Sequence, residues 1–243
     1  MALYDLAFEQ GDETTVHLLQ EQCRTLLGTL WNRRERAFAL EALGRMALRQ
    51  GDYPTADELL NECLTLMRHT GEQGRIAAAL SRLAQVAYSR GEYAEARRLF
   101  LEEGDLRQKN AEPLETASNF DNLGMVAQAE AAYTTARSCY SQSLTIRLEV
   151  GMARPIAHSL MNFAGLAKAQ LLGRRAARLW GAVDSTTASL ALVLLPTEQK
   201  NHESEVAEAR DTLGEEAFDT AWQEGKAMTL EQTVAYALQD EPL

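Results

Sequence analysis

Glycine and proline are scarce, at 15 and 5 of 243 residues. That leaves little material for long loops or for the tight turns of a many-stranded sheet. Cysteine is scarcer still: Cys23, Cys63 and Cys139, with no C-x-x-C pair. An odd number without framework spacing excludes a disulfide scaffold and fits reduced core thiols. The longest apolar run, Leu190 to Leu195, is far too short to span a membrane, and no signal peptide precedes it. There is no basic excess. The net charge is −11, which argues against phosphate-backbone binding.

Catalytic signatures are missing too. No phosphate loop, GxGxxG, HExxH or GxSxG occurs. His17, His69, His158 and His202 lie far apart, none with a second ligand at metal spacing. Glu102-Glu103 and Glu215-Glu216 are adjacent pairs, which a helix would point about 100° apart, so they suit solvated charge better than acid–base work. The expectation is no enzyme, no catalytic residue, no cofactor and no metal.

What is present is helix-forming. Ala, Leu, Glu, Arg and Gln dominate a chain that is 46% hydrophobic and 24% charged. The charge is uneven. From Thr197 onward there are 12 acidic and 3 basic residues, a balance of −9, so the first 196 residues carry only −2.

A pattern recurs every 40 residues. Leu43-Gly44, Leu83-Ala84, Leu123-Gly124 and Phe163-Ala164 share one position. Ala56, Ala96, Ala136 and Ala176 share a second, and Leu60, Phe100, Tyr140 and Trp180 a third. A fixed period of this length implies a solenoid. In the unit Arg33–Gly71, Ala37, Leu40, Leu43, Gly44 and Ala47 form one helical stripe. Gly51-Asp52 breaks it, Gly as a left-handed cap and Asp as the next N-cap, with Pro54 in the following first turn. Ala56, Leu59, Leu60, Cys63, Leu64 and Met67 form the second stripe. Each unit is thus predicted to be an antiparallel pair of helices of about 17 residues, its small residues permitting close approach. Two copies decay: Ala131-Ala132 replaces one turn glycine, and in the last unit the turn becomes Leu171-Leu172-Gly173, shifted by two residues. Extrapolated backward, the first helix of a full unit would begin about seven residues before Met1. The chain is therefore expected to open at a boundary inside a longer solenoid; a shortened capping repeat is the alternative.

The small residue late in the first helix, the Ala early in the second, the large residue four later, and the turns Gly51-Asp52-Tyr53 and Gly91-Glu92-Tyr93 resemble the tetratricopeptide repeat. The period exceeds that family's standard by six residues, as in the longer units of kinesin light chains and of large bacterial regulators. The resemblance implies an all-α, right-handed superhelical solenoid of about five repeats, with units near 1–31, 32–71, 72–111, 112–151 and 152–195. An acidic helical cap is expected over 196–243, with helices at Thr197–Thr212, where Glu198 follows a Thr cap, Glu215–Glu224 and Leu230–Leu238.

The tail carries an ordered series: Ala177-Arg178-Leu179-Trp180-Gly181-Ala182, Leu213-Gly214-Glu215-Glu216-Ala217-Phe218, Ala221-Trp222-Gln223-Glu224-Gly225-Lys226 and Met228-Thr229-Leu230-Glu231-Gln232-Thr233-Val234. It resembles the C-terminal end of large bacterial signalling ATPases, including LuxR-type transcriptional regulators. That resemblance implies a cytoplasmic sensor or interaction arm of a larger regulator.

In the repeat family the first helices line a concave groove. Transfer by register sets Glu41, Ser81, Asp121 and Met161 on one row, and Ala42, Arg82, Asn122 and Asn162 on the next. Arg45, Gln85, Met125 and Gly165 follow, then Leu48, Tyr88, Gln128 and Lys168. The expected peptide-binding groove is Arg82, Asn122, Asn162, Gln85, Tyr88, Gln128, Lys168 and Asp121. Asn can grip an extended backbone as donor and acceptor, Arg82 and Lys168 can hold a carboxylate, and Tyr88 and Phe38 supply apolar contact. Alternatively, Asn122 and Asn162 bond across helices and only set the repeat geometry. The implied function is a non-catalytic module for a peptide, a protein segment or a sister domain, with neither nucleic acid nor membrane as partner. A scaffold or self-association domain, including a homodimer, and a small-molecule sensor are the alternatives.

Overall fold

A computed structural model describes residues 2–29, 32–189, 192 and 196–239. Met1, and all but residue 192 of the 190–195 run, lie outside them. So do the side chains of Thr197 and Glu198, on which the expected cap of the first tail helix rests. The described residues form thirteen helices and no strand. They fall into two compact units, 1–112 and 113–243.

Unit 1 holds α1 (Ala2–Glu9), α2 (Glu13–Thr29), α3 (Arg33–Arg49), α4 (Tyr53–Thr70), α5 (Gln73–Ser89) and α6 (Tyr93–Lys109). Consecutive helices pair as α1/α2, α3/α4 and α5/α6, and each pair packs on the next. The local signals act as expected. Asp52 accepts from the Thr55 amide at 3.2 Å, Pro54 sits in the first turn of α4, and Gly71 caps its end at φ 73°. Asp12 caps α2 in the same way, accepting from Thr15 N at 3.0 Å.

Unit 2 holds α7 (Pro113–Ala129), α8 (Tyr133–Val150), α9 (Ala153–Ala169) and α10 (Gly173–Ser189), again in pairs. Three tail helices follow: α11 (Pro196–Leu213), α12 (Glu215–Lys226) and α13 (Leu230–Leu238). Gly181 of α10 and Gly225 of α12 meet where the two backbones cross. A Cβ on Gly225 would lie 2.9 Å from the Ala182 nitrogen, and one on Gly181 3.1 Å from Trp222 Cα. Arg178 and Glu224 pair across this seam, and Lys226 lies 3.1 Å from Asp184. The chain then turns at Thr229, whose hydroxyl and the Gln232 side chain form a reciprocal capping box. The C-terminal carbonyls of α13 are gathered by two arginines. Arg175 Nη2 donates to Tyr236 O and Gln239 O at 2.9 and 3.0 Å, and Arg137 Nη2 to Leu238 O at 2.6 Å. Cations at a helix C-terminus satisfy carbonyls that the helix itself leaves open.

The core repeats the sequence pattern. Leu60, Phe100, Tyr140 and Trp180 are buried, as are Ala56, Ala96, Ala136 and Ala176. The small residues serve their own pair directly: a Cβ on Gly44 would meet Leu60 Cγ at 2.6 Å.

One expectation is overturned. The last intra-pair turn does not shift by two residues. Leu171 takes φ 62° at the register of Gly51 and Gly91, and Gly173 opens α10 instead. Positive φ recurs at 51, 71, 91, 111, 131, 151 and 171, alternately within and between pairs. The backbone therefore keeps a 20-residue half-period even where Ala111, Ala131 and Leu171 replace glycine. At Ala131 and Leu171 the packing of α7, α8, α9 and α10 on one another fixes where each helix ends, and it overrides a left-handed penalty of about 1–2 kcal/mol at each L-residue.

Candidate functional site

The predicted groove residues fall on three first helices, and the structure gives them different surroundings. In unit 1, Arg82, Gln85 and Tyr88 stand on α5, all half-buried. Arg82 Nη1 donates to Gln85 Oε1 at 3.0 Å. The Tyr88 ring lies 5.6 Å from Tyr93, and burial, aided by that neighbour, raises its phenol pKa. Phe38 is overlaid by the Arg75 guanidinium, 3.8 Å from its ring centre, so its apolar face is occupied.

In unit 2, Asn122 on α7 and Asn162 on α9 occupy the same register on adjacent first helices, both half-buried. Asn162 Nδ2 is buried and has no hydrogen-bond partner, so it forms no bond to a neighbouring helix. A buried amide donor left unpaired costs roughly 1–3 kcal/mol. Met125 lies on the same helix as Asn122 and is 39% exposed. Gln128 is engaged within its own pair, its Oε1 accepting from the Tyr140 hydroxyl at 3.0 Å.

Lys168, at the end of α9, reaches α11. Its Nζ donates to Glu205 and Glu208 at 2.8 and 2.5 Å. Burial works against the charge here, but the bonds and charges of the two carboxylates prevail and raise the pKa.

Asp121 shares the first-helix register with Glu41 but is buried. Arg147 Nη1 of α8 lies 2.7 Å from its Oδ2, and His158 Nδ1 of α9 3.5 Å away. The same Nη1 donates to Ser159 Oγ at 2.8 Å and to Pro155 O at 3.1 Å. A polar knot thus joins α7, α8 and α9, with Asp121, Arg147 and Ser159 buried and His158 at its exposed edge. This cluster was not anticipated. The available signal was Arg147 at the register of Met67, a core position given a charged side chain.

The ordered tail series meets in space. Trp180 of α10 contacts His202 of α11 edge-on, ring centres 4.9 Å apart, and Phe218 stacks on Trp222 of α12 at 5.3 Å. Burial lowers the His202 pKa, against the opposing charges of Asp184 and Glu203. The series therefore marks a packing seam. An open pocket of about 460 Å³ lies between Arg174 and the start of α12, and none of the predicted groove residues lines it. Among the described residues no three His, Cys, Asp or Glu side chains converge as metal ligands. No described helix is long and apolar enough to cross a membrane.

The stacked helix pairs and register-matched first helices define a tetratricopeptide-like repeat fold. Residues 35–109 match the tetratricopeptide repeat family model. Among solved structures, BtubC (BKLC) from P. vanneervenii is similar, with TM-score 0.64 and 17% identity over 79% of this chain and 80% of that one. The nearly identical TPR-like repeats of a Podospora anserina protein assigned as a kinesin light chain are similar as well. A crystal structure of a point variant of those repeats gives TM-score 0.63 and 17% identity, covering 79% of this chain and 96% of that one. A second gives 0.59 and 20%, covering 78% and 95%. At such identities the likeness concerns the fold. No curated protein sequence is significantly similar to the chain. Repeats of this kind typically act as interaction modules.

Proposed function

We propose that the chain is a non-catalytic peptide- or protein-binding module, and that in unit 2 the ligand lies along the first helices α7 and α9. The observation that carries this reading is the Asn122–Asn162 register with the unpaired, buried Nδ2 of Asn162. Buried polar groups are nearly always paired, and an extended backbone offers carbonyls to such donors. Peptides bound this way draw affinity from backbone bonds and selectivity from side-chain contacts, here with Met125 and Gln128 alongside. Lys168 is the group to hold a ligand carboxylate, in exchange for Glu205 and Glu208. Arg82, Gln85 and Tyr88 are the corresponding contacts in unit 1.

The test is affinity for peptides selected from an unbiased short-peptide library on the intact protein. Asn122→Ala and Asn162→Ala should each weaken binding, with helix content unchanged by circular dichroism. Unchanged affinity in both single variants and the double variant removes the proposal.

The tail series supports a wider context, the cytoplasmic interaction arm of a bacterial signalling or transcriptional regulator, in which an occupied repeat biases a switch domain by binding one of its states better. A nucleotide-binding domain encoded in the same reading frame would support it, and a reading frame without one would remove it.

A further inference from the structure

Gly165 lies inside α9, half-buried, yet nothing packs where its side chain would stand. A Cβ added there would meet no atom within 4 Å. Close approach accounts for the other glycines within the helices of unit 2. A Cβ on Gly124 would press on the Tyr140 ring, and those on Gly181 and Gly225 would collide with backbone. Gly28 of α2 has open space too, but it stands in the last turn, where helices fray. Glycine weakens a helix interior relative to alanine. At Gly165 no packing contact offsets that loss.

The open position belongs to the first-helix row of Arg45, Gln85 and Met125, where the other members carry long side chains. Within α9, Met161 stands four residues before Gly165, Asn162 three before and Lys168 three after, so all share its face. α7 packs directly on α9 and sets the exposed Met125 at the same register. The row is therefore interrupted by a notch beside the buried, unpaired Nδ2 of Asn162. Lys168 leaves the notch open, its Nζ being drawn to Glu205 and Glu208 of α11.

We propose that this notch is a specificity subsite that takes one large apolar side chain, aromatic or long aliphatic, of a segment whose backbone Asn122 and Asn162 hold. It rests on the reading that the ligand lies along α7 and α9. The chemistry follows from the walls. Lys168 is turned to α11 and Asp121 is buried against Arg147, so the nearest side chains in register are the thioethers of Met125 and Met161. Methionine is unbranched and polarizable, and it adapts to aromatic and aliphatic partners. Main-chain bonds then supply affinity and the notch supplies choice.

The probes are short peptides recovered from a random displayed library on the intact protein. They should share one Trp, Phe, Leu or Met, whose replacement by Ala weakens binding about tenfold or more. Gly165→Met gives α9 the side chain that α7 carries at this register, and it should weaken the same peptides by a similar factor. Gly165→Ala should weaken them less. In the Gly165→Met background, the Ala-substituted peptide should lose nothing further. Both variants fill open space and remove a helical glycine, so their urea midpoints should equal or exceed that of the parent. Equal affinity of the parent and Gly165→Met, or a lowered midpoint in Gly165→Ala, overturns the proposal. Asn162→Ala separates two kinds of failure. Peptides weakened by Asn162→Ala but not by Gly165→Met remove the notch and leave the groove. Peptides indifferent to both, or no recovered peptide, remove the groove and the notch with it.

Discussion

Gly124 of α7 lies directly beneath the ring of Tyr140 of α8: a Cβ added there would stand 2.6 Å from Tyr140 Cδ1. Tyr140 in turn meets Phe163 of the next pair and donates to Gln128. One small residue thereby sets the spacing within a pair and the position of the ring that joins it to the next. Gly124→Ala should cost about 1–3 kcal/mol, the usual range for overpacking. The measurement is a urea denaturation midpoint. Combined with Tyr140→Ala, which removes the clashing ring, the two losses should add to less than their sum.

The crossing of α10 and α12 is tighter in kind, because the obstacle is backbone. Gly225→Ala would drive a methyl against the Arg178 carbonyl and to 2.9 Å from the Ala182 nitrogen. No rotamer change relieves that, so the loss should reach the upper end of the overpacking range, about 3 kcal/mol. Hydrogen exchange should rise in α11, α12 and α13 while α7 and α8 keep their protection. Equal loss of protection throughout unit 2 would show that the tail is not a separable layer.

Leu171 holds a left-handed conformation with 88% of its surface exposed. Little burial compensates the backbone cost. Leu171→Gly should therefore stabilise the protein by about 0.5–1 kcal/mol after the entropy of an added glycine is deducted. A raised urea midpoint with unchanged slope is the expected result. Gly51→Leu should do the reverse, since Gly51 takes φ 76° at the equivalent turn.

Cys63 gives a pH prediction. Burial, reinforced by the Glu41 charge, pushes its thiol from an ordinary value near 9.0 up to about 12. Below pH 9 the thiol is protonated in both folded and unfolded chains and contributes no pH dependence. Above it the unfolded chain loses the proton while the folded one keeps it, so stability falls between about pH 9 and pH 12. Urea midpoints of the parent should fall more steeply over that window than those of Cys63→Ala. Thiol reagents at pH 8 should label Cys63 only as fast as the protein opens.

Much of the fold is legible in one dimension because a repeat restates its own rules. Small residues at 44 and 124, large ones at 60 and 140, and the caps Asp52 and Gly71 each act through near neighbours, so spacing suffices to place them. Leu171 shows the limit. Local propensity moves the turn to Gly173, whereas the helix must end in step with the pairs stacked beside it. The candidate site was legible only as register. Asn122 and Asn162 are indeed half-buried on adjacent first helices. Lys168 and Asp121 look equally available in sequence, yet one is held by Glu205 and Glu208 and the other is buried against Arg147.

Periodicity alone establishes helices, pairs and their order, since these depend on contacts within about 20 residues. Only the tertiary structure decides which polar residues remain available. Arg147 and Asp121 are 26 positions apart, and Lys168 and Glu205 are 37. At such separations, partnership depends on how neighbouring pairs stack and where the tail folds back.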